Sequence, residues 1–220
     1  MIEFDSVGMT YHARNLTRTV LRNTSFTICS GDALGICGAN GVGKSTLLRL
    51  IAGVEHPTTG RIRRGMSVSW PIGYSSAFQH SLTGVDNARF VARIYRRPSE
   101  TLLAFVEQFA ELGPYFRQPV KTYSAGMQAR LAFAVSIAID FDCYLVDEVT
   151  GAGDDRFRQR CLDALMHRRS TGTLVMVSHS AETLKSFCKR GAVLKDGRLE
   201  VFATIDEALD VHRWHQTQAA

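Results

Sequence analysis

Eight consecutive residues constrain this chain more than any others: Gly38-Ala39-Asn40-Gly41-Val42-Gly43-Lys44-Ser45, a complete G-x-x-x-x-G-K-[ST] string. An apolar run at 33–37 precedes it, and a helical pattern from 44 to about 52, stopped by Gly53, follows it. A buried strand that turns through glycines into a helix aims several backbone N–H groups and the positive end of a helix dipole at one point, which makes a cradle for phosphate. Lys44 is placed to reach the β- and γ-phosphates of a nucleotide and the Ser45 hydroxyl to ligate Mg2+, with Gly38, Asn40, Gly41, Gly43 and Thr46 in the same wrap. The four fixed positions arise by chance in a chain this long with a probability on the order of one in a hundred.

Around that loop the chain reads as one α/β domain, residues 1–220, within the usual size for one domain with a subdomain. Apolar residues make up 45% and charged residues 21%, which excludes a disordered, collagen-like or disulfide-scaffold chain. No apolar stretch approaches the roughly 20 residues of a membrane span. The N-terminus Met1-Ile2-Glu3-Phe4-Asp5 lacks a signal-peptide pattern, so synthesis is expected to end in the cytosol. Five cysteines without C-x-x-C spacing predict reduced, mostly buried thiols. The net charge of +5 lies wholly in residues 1–110, with 12 Lys+Arg against 7 Asp+Glu; residues 111–220 balance at 14 and 14. Nucleic acid, membrane, nucleotide phosphate and a plain solvated surface all fit that excess.

Periodicity predicts strands at 2–4 and 25–28, a strand pair over 61–70, and a helical segment over 83–116 broken at Pro98. Ser124 is a candidate N-cap for a buried helix to 138. Strands at 143–146 and 173–177 alternate with helices, implying a largely parallel sheet. A hairpin around Asp196-Gly197 and a last helix from about 205 close the chain.

A second chemical signal is the apolar strand Cys143-Tyr144-Leu145-Val146 ending in Asp147-Glu148. Alone, such a pair reads as the start of a loop. Behind a phosphate loop, Asp147 is the candidate Mg2+ ligand and Glu148 the base that polarises water for in-line attack. Tyr123-Ser124-Ala125-Gly126-Met127-Gln128 then resembles the signature motif of ATP-binding cassette ATPases, with Ser124 and Gly126 matching and Tyr123, Ala125 and Met127 departing. The resemblance implies a P-loop cassette core with a parallel sheet, an N-terminal antiparallel part and an inserted helical subdomain. The core would take residues 1–76 and 140–220, and the helical subdomain 80–138. It also implies that Ser124 and Gly126 bind the γ-phosphate of a nucleotide held by a second copy. Gln79 resembles the glutamine that senses Mg2+ and the attacking water, Asp154 in Gly151-Ala152-Gly153-Asp154 the D-loop aspartate, His179 the switch histidine, and Tyr11, 33 residues before Lys44, the aromatic that stacks on adenine.

Ser69-Trp70-Pro71-Ile72-Gly73, Asn87, Lys121-Thr122-Tyr123-Ser124 and Met176-Val177-Ser178-His179-Ser180 more narrowly resemble the ATP-binding subunit of capsular polysaccharide exporters. That resemblance implies a homodimer binding two Mg·ATP at the cytoplasmic face of a Gram-negative inner membrane. Its partners would be a separate ABC-2 type permease and, indirectly, periplasmic and outer-membrane components, with no nucleic acid. Since the chain ends where the cassette should, no carbohydrate-recognition domain is expected. Export of O-antigen or teichoic acid, a soluble cassette acting on ribosomes or nucleic acid, and a nucleotide-gated scaffold remain as alternatives. Arg89, Arg93, Arg96 and Arg97 fit either contact with the permease or anionic lipid, or a solvated helix face.

Overall fold

The computed structural model describes residues 1–13, 16–72, 78–148 and 155–218. The chain forms two compact units, one of Met1–Pro71, Phe141–Glu148 and Met166–Ala220, the other of Ile72–Asp140 and Val149–Leu165.

In the first unit, β1 (Ile2–Ala13) and β2 (Leu16–Ile28) pair antiparallel from Ile2↔Ile28 to Ala13↔Leu16, and β4 (Thr59–Arg64) pairs with the other edge of β1. Alternation in the sequence reveals only the ends of these long strands. Register shifts after Phe4, Val7 and Met9 change which residues face inward, and Ser6 and Asn23 take positive φ (52° and 39°). The strand pair expected over 61–70 is corrected: β4 belongs to this three-stranded sheet, whereas β5 (Val68–Ile72) is the edge of a six-stranded sheet. That sheet runs β5-β6-β7-β3-β8-β9, with β3 (Ala33–Cys37), β6 (Cys143–Asp147), β7 (Thr173–Val177), β8 (Arg190–Lys195) and β9 (Arg198–Phe202).

The pairs β6–β7, β7–β3 and β3–β8 are parallel and β8–β9 antiparallel. A parallel strand is covered on both faces, and β3 and β7 are accordingly buried and apolar at nearly every position. The β8–β9 turn uses Asp196 and Gly197, both at positive φ (49° and 77°), as a two-residue hairpin with right-handed twist requires. Helices α6 (Ala181–Phe187) and α7 (Ile205–Gln218) pack on this sheet.

Helix α1 (Lys44–Ala52) buries Leu47, Leu48, Leu50 and Ile51, apolar around most of its circumference, so it must be covered on more than one side. One core gathers these leucines with Ile2, Phe4, Val7 and Leu21 of the small sheet and with Leu34, Leu145 and Val175 of the large one. Gly53 ends the helix at φ 78°, donating to the Arg49 and Leu50 carbonyls, and the Arg64 guanidinium caps the Leu50 and Ile51 carbonyls. Leu48 is fully buried there. Leu48→Ala is expected to cost about 2–5 kcal/mol, read as a lowered midpoint in urea unfolding with unchanged slope.

The second unit holds α2 (Gly84–Ile94), α3 (Ser99–Ala110), α4 (Ala125–Ile137) and the first part of α5 (Asp155–Thr171). Ser124 caps α4 as expected, accepting from the Met127 N–H at 3.2 Å, and α4 is buried from Leu131 onward. Phe109 and Phe133 stack at 5.7 Å with Phe157 edge-on to both. Arg160 reaches Glu111 at 2.7 Å and the Phe109 carbonyl at 3.1 Å, tying α5 to the end of α3. Among the described residues no helix is long and apolar enough to cross a membrane. Cys37, Cys143, Cys161 and Cys188 are buried, and burial pushes their thiols up to about 11 for Cys37 and about 12 for the others, far from reactivity.

Candidate functional site

The first unit contains a cavity of about 580 Å3 where the carboxyl ends of β6 and β7 meet the start of α1. The loop between β3 and α1 curls tightly because glycine permits it. Gly43 stands at φ 119° with a Cβ position only 2.0 Å from a Val20 methyl, and Gly38 approaches the Leu194 carbonyl within 2.6 Å of where a Cβ would sit. Helix α1 starts with no side-chain cap and no acidic residue in its first turn. Its first N–H groups therefore lack the partners that other helices supply, and an anion is the complementary ligand.

Lys44 lies 8% exposed and donates to the Gly38 and Ala39 carbonyls at 2.7 and 3.0 Å. Burial pushes its ammonium below the usual lysine range, while the charges of Glu148 and Asp147 pull it back up. Asn40, Gly41, Gly43, Ser45 and Thr46 line the same cavity with Asp147, Glu148, His179 and Tyr11; of the residues expected in this unit, Gly38 is outside the lining and lines a neighbouring cavity with Cys37 and Ser178. Glu148 adopts φ 56°, an unfavourable conformation for a side-chain residue, with its N–H on the Val177 carbonyl at 2.9 Å. Its Oε1 lies 2.9 Å from His179 Nε2. The cavity thus holds an uncapped helix end and a buried cation, with a carboxylate–imidazole pair among its lining groups.

The donor set also fits the ion the sequence implies. Magnesium takes oxygen ligands, commonly one or two carboxylates plus substrate phosphates. Ser45 Oγ and the Asp147 carboxylate supply two such oxygens, and no cluster of three or more His, Cys, Asp or Glu suited to a thiolate or imidazole metal occurs among the described residues.

Gln79, Ser124 and Gly126 lie in the second unit. The Ser124 oxygen already accepts from Met127, which leaves its hydrogen to donate. Gly126 has nothing nearer than 3.9 Å to a would-be Cβ, so its lack of a side chain leaves the first turn of α4 open. Tyr123 departs from the signature for a local reason: its ring is buried and its hydroxyl donates to the Tyr115 carbonyl at 2.7 Å. Asp154 and the segment 149–154 lie outside the described residues.

Sequence reasoning passed over several groups. Asn87, quoted only as a family match, clamps the Gln79 backbone: its Oδ1 accepts from Gln79 N–H at 2.9 Å and its Nδ2 donates to the Gln79 and Thr83 carbonyls at 3.1 and 2.9 Å. Its position one turn after the Thr83 N-cap is the signal that marks it. Asn87→Ala is expected to cost about 1–3 kcal/mol by stranding these groups, seen as faster amide exchange at Gln79. Arg18 lies directly across the hairpin from Tyr11 and donates to the Gly41 carbonyl; it stands in the part of β2 that precedes the strand predicted at 25–28.

These features define a phosphate-loop nucleotide-binding domain of the ATPase cassette type. Residues 21–151 match the family model described as ABC transporter, and the chain belongs to that family. It is 49% identical to the capsule polysaccharide export ATP-binding protein CtrD of Neisseria meningitidis serogroup B, over 96% of this chain and 98% of that one. It is 47% identical to the ATP-binding protein BexA of Haemophilus influenzae, over 94% and 96%. In fold it is similar to the dimeric ATP-binding cassette MJ0796 bound to ADP and Pi, with a TM-score of 0.78 and 23% identity over 91% of this chain and 98% of that chain.

Proposed function

We propose that this chain is the ATP-hydrolysing subunit of an exporter that moves capsular polysaccharide across the bacterial inner membrane through a separate ABC-2 type permease. One observation carries hydrolysis: the Glu148–His179 pair lines the same cavity as the uncapped start of α1 and Lys44. The near full-length likeness to CtrD carries the polymer class.

In this reading Lys44 exchanges its loop carbonyls for the nucleotide's phosphate oxygens, and the N–H groups of α1 hold the same oxygens. Ser45 and Asp147 would hold Mg2+, which when bound neutralises charge on the phosphates. Glu148 accepts the proton of the attacking water, and His179 orients that carboxylate and donates toward the γ-phosphate. Two copies pair head to tail, so that Ser124 and Gly126 of one face the phosphate loop of the other. Ser124 is exposed with a free hydroxyl hydrogen, as donation in trans requires. Gln79, with its backbone fixed by Asn87, takes the part of sensing Mg2+ and the attacking water.

The helical unit offers the surface for the permease. On α2, Phe90 and Ile94 are one turn apart and 62% and 56% exposed. Of the four arginines beside them, Arg89 pairs with Asp86 and Arg97 with Asp140, whereas Arg93 and Arg96 have no acidic partner among the described residues. The chain would thus sit at the cytoplasmic face of the membrane, with periplasmic and outer-membrane components engaged through the permease. Affinity purification from solubilised membranes tests this: a multi-span permease should co-purify, and recovery of ribosomes in its place would contradict the reading.

A further inference from the structure

A relay of polar side chains ties the aromatic ring at the rim of the cavity to the phosphate-loop helix. The Tyr11 hydroxyl donates to the Glu55 carboxylate and lies 3.4 Å from Thr46 Oγ1. Arg49 Nε donates to Glu55 Oε1 at 2.7 Å, and its Nη2 donates to Thr46 Oγ1 at 3.1 Å. The Glu55 N–H returns to the Arg49 carbonyl at 3.3 Å. The circuit therefore runs from β1 to the first turn of α1, to its last turn and to the loop beyond.

Tyr11 stands two residues from the end of β1, where a hairpin leaves a large side chain with much freedom. The residue is 37% exposed, so packing alone does not fix its ring. A ring meant to receive a planar base gains from being held before the base arrives, because the ordering cost is then already met. We propose that Arg49 and Glu55 are positioning residues which, through the Tyr11 hydroxyl, hold that ring in place for the nucleotide base. The proposal rests on the reading of this cavity as the ATP site. It differs from stacking alone in one consequence: stacking needs the ring, whereas positioning needs the hydroxyl.

The test uses the full chain and isothermal titration with Mg·ATP and with Mg·tripolyphosphate, which carries the phosphates and no base. Tyr11→Phe and Glu55→Ala should each weaken ATP binding about three- to tenfold, the worth of one hydrogen bond, and the double variant no more than either alone. Tripolyphosphate binding should stay within about twofold of wild type. In turnover, KM for ATP should rise with kcat unchanged, the mark of lost ground-state binding. Tyr11→Phe keeps the ring and decides the matter even if Glu55→Ala folds poorly. Unchanged ATP affinity in Tyr11→Phe overturns the proposal, as do additive losses in the double variant or parallel losses for both ligands. Wild-type protein that binds neither ligand overturns the ATP-site reading itself and the proposal with it. Wild-type protein that binds both equally overturns the proposal alone.

Discussion

Glu148→Gln is expected to lower steady-state ATP hydrolysis by roughly 10²- to 10⁴-fold while leaving ATP binding near wild type. The amide is isosteric, so the close approach of His179 Nε2, 2.9 Å from Glu148 Oε1, and the backbone turn at φ 56° should both survive. What disappears is a basic oxygen able to take a proton from water. A paired dimer stalled with bound ATP should then accumulate, measurable by light scattering alongside phosphate release. Normal turnover in this variant would remove Glu148 from the role of base.

Lys44→Ala is expected to weaken Mg·ATP binding by about 10- to 100-fold, the worth of a charged hydrogen-bond donor to phosphate. The folded protein should tolerate the change. Burial already disfavours the ammonium, and only two carbonyls, those of Gly38 and Ala39, lose a donor. The thermal midpoint without nucleotide should therefore move little, whereas the upward shift produced by ATP in wild type should largely vanish, since that shift follows the ratio of ligand concentration to Kd. A full ATP-induced shift in Lys44→Ala would place the phosphate elsewhere.

The core of this fold was legible in the sequence because its signals are local. Residues 33–45 carry strand, loop and helix start in one string, and β3, β7 and α1 lie within a residue or two of the limits the sequence predicts. The hairpin at Asp196-Gly197 was equally clear, because its turn demands positive φ at two successive residues. The β1–β2 hairpin was not, because three register shifts scramble the inside–outside alternation on which strand detection depends. The partition of β4 and β5 between two sheets was hidden for another reason: strand propensity does not say which neighbour a strand chooses.

At the site, the groups proposed to meet phosphate stand in motifs, and the groups that hold those motifs do not. Lys44, Asp147, Glu148 and His179 announce themselves by residue type at a strand or loop end. Asn87, Arg49 and Glu55 act by clamping a backbone or another side chain, and their partners lie between 3 and 44 residues away in sequence. Only Asn87, one turn after the Thr83 N-cap, carries a local signal; the Tyr11–Glu55 contact follows from the packing of α1 beneath β1.

In the function proposed above, ATP hydrolysis at the phosphate-loop site drives polysaccharide out of the cell. Its most direct test is to place Glu148→Gln on the chromosome of the encoding bacterium and measure polymer at the surface and inside. Surface polymer should be lost and polymer should accumulate in the cytoplasm at undiminished synthesis. Surface polymer at the wild-type level, with the variant present at normal abundance, would show that export does not depend on hydrolysis at Glu148.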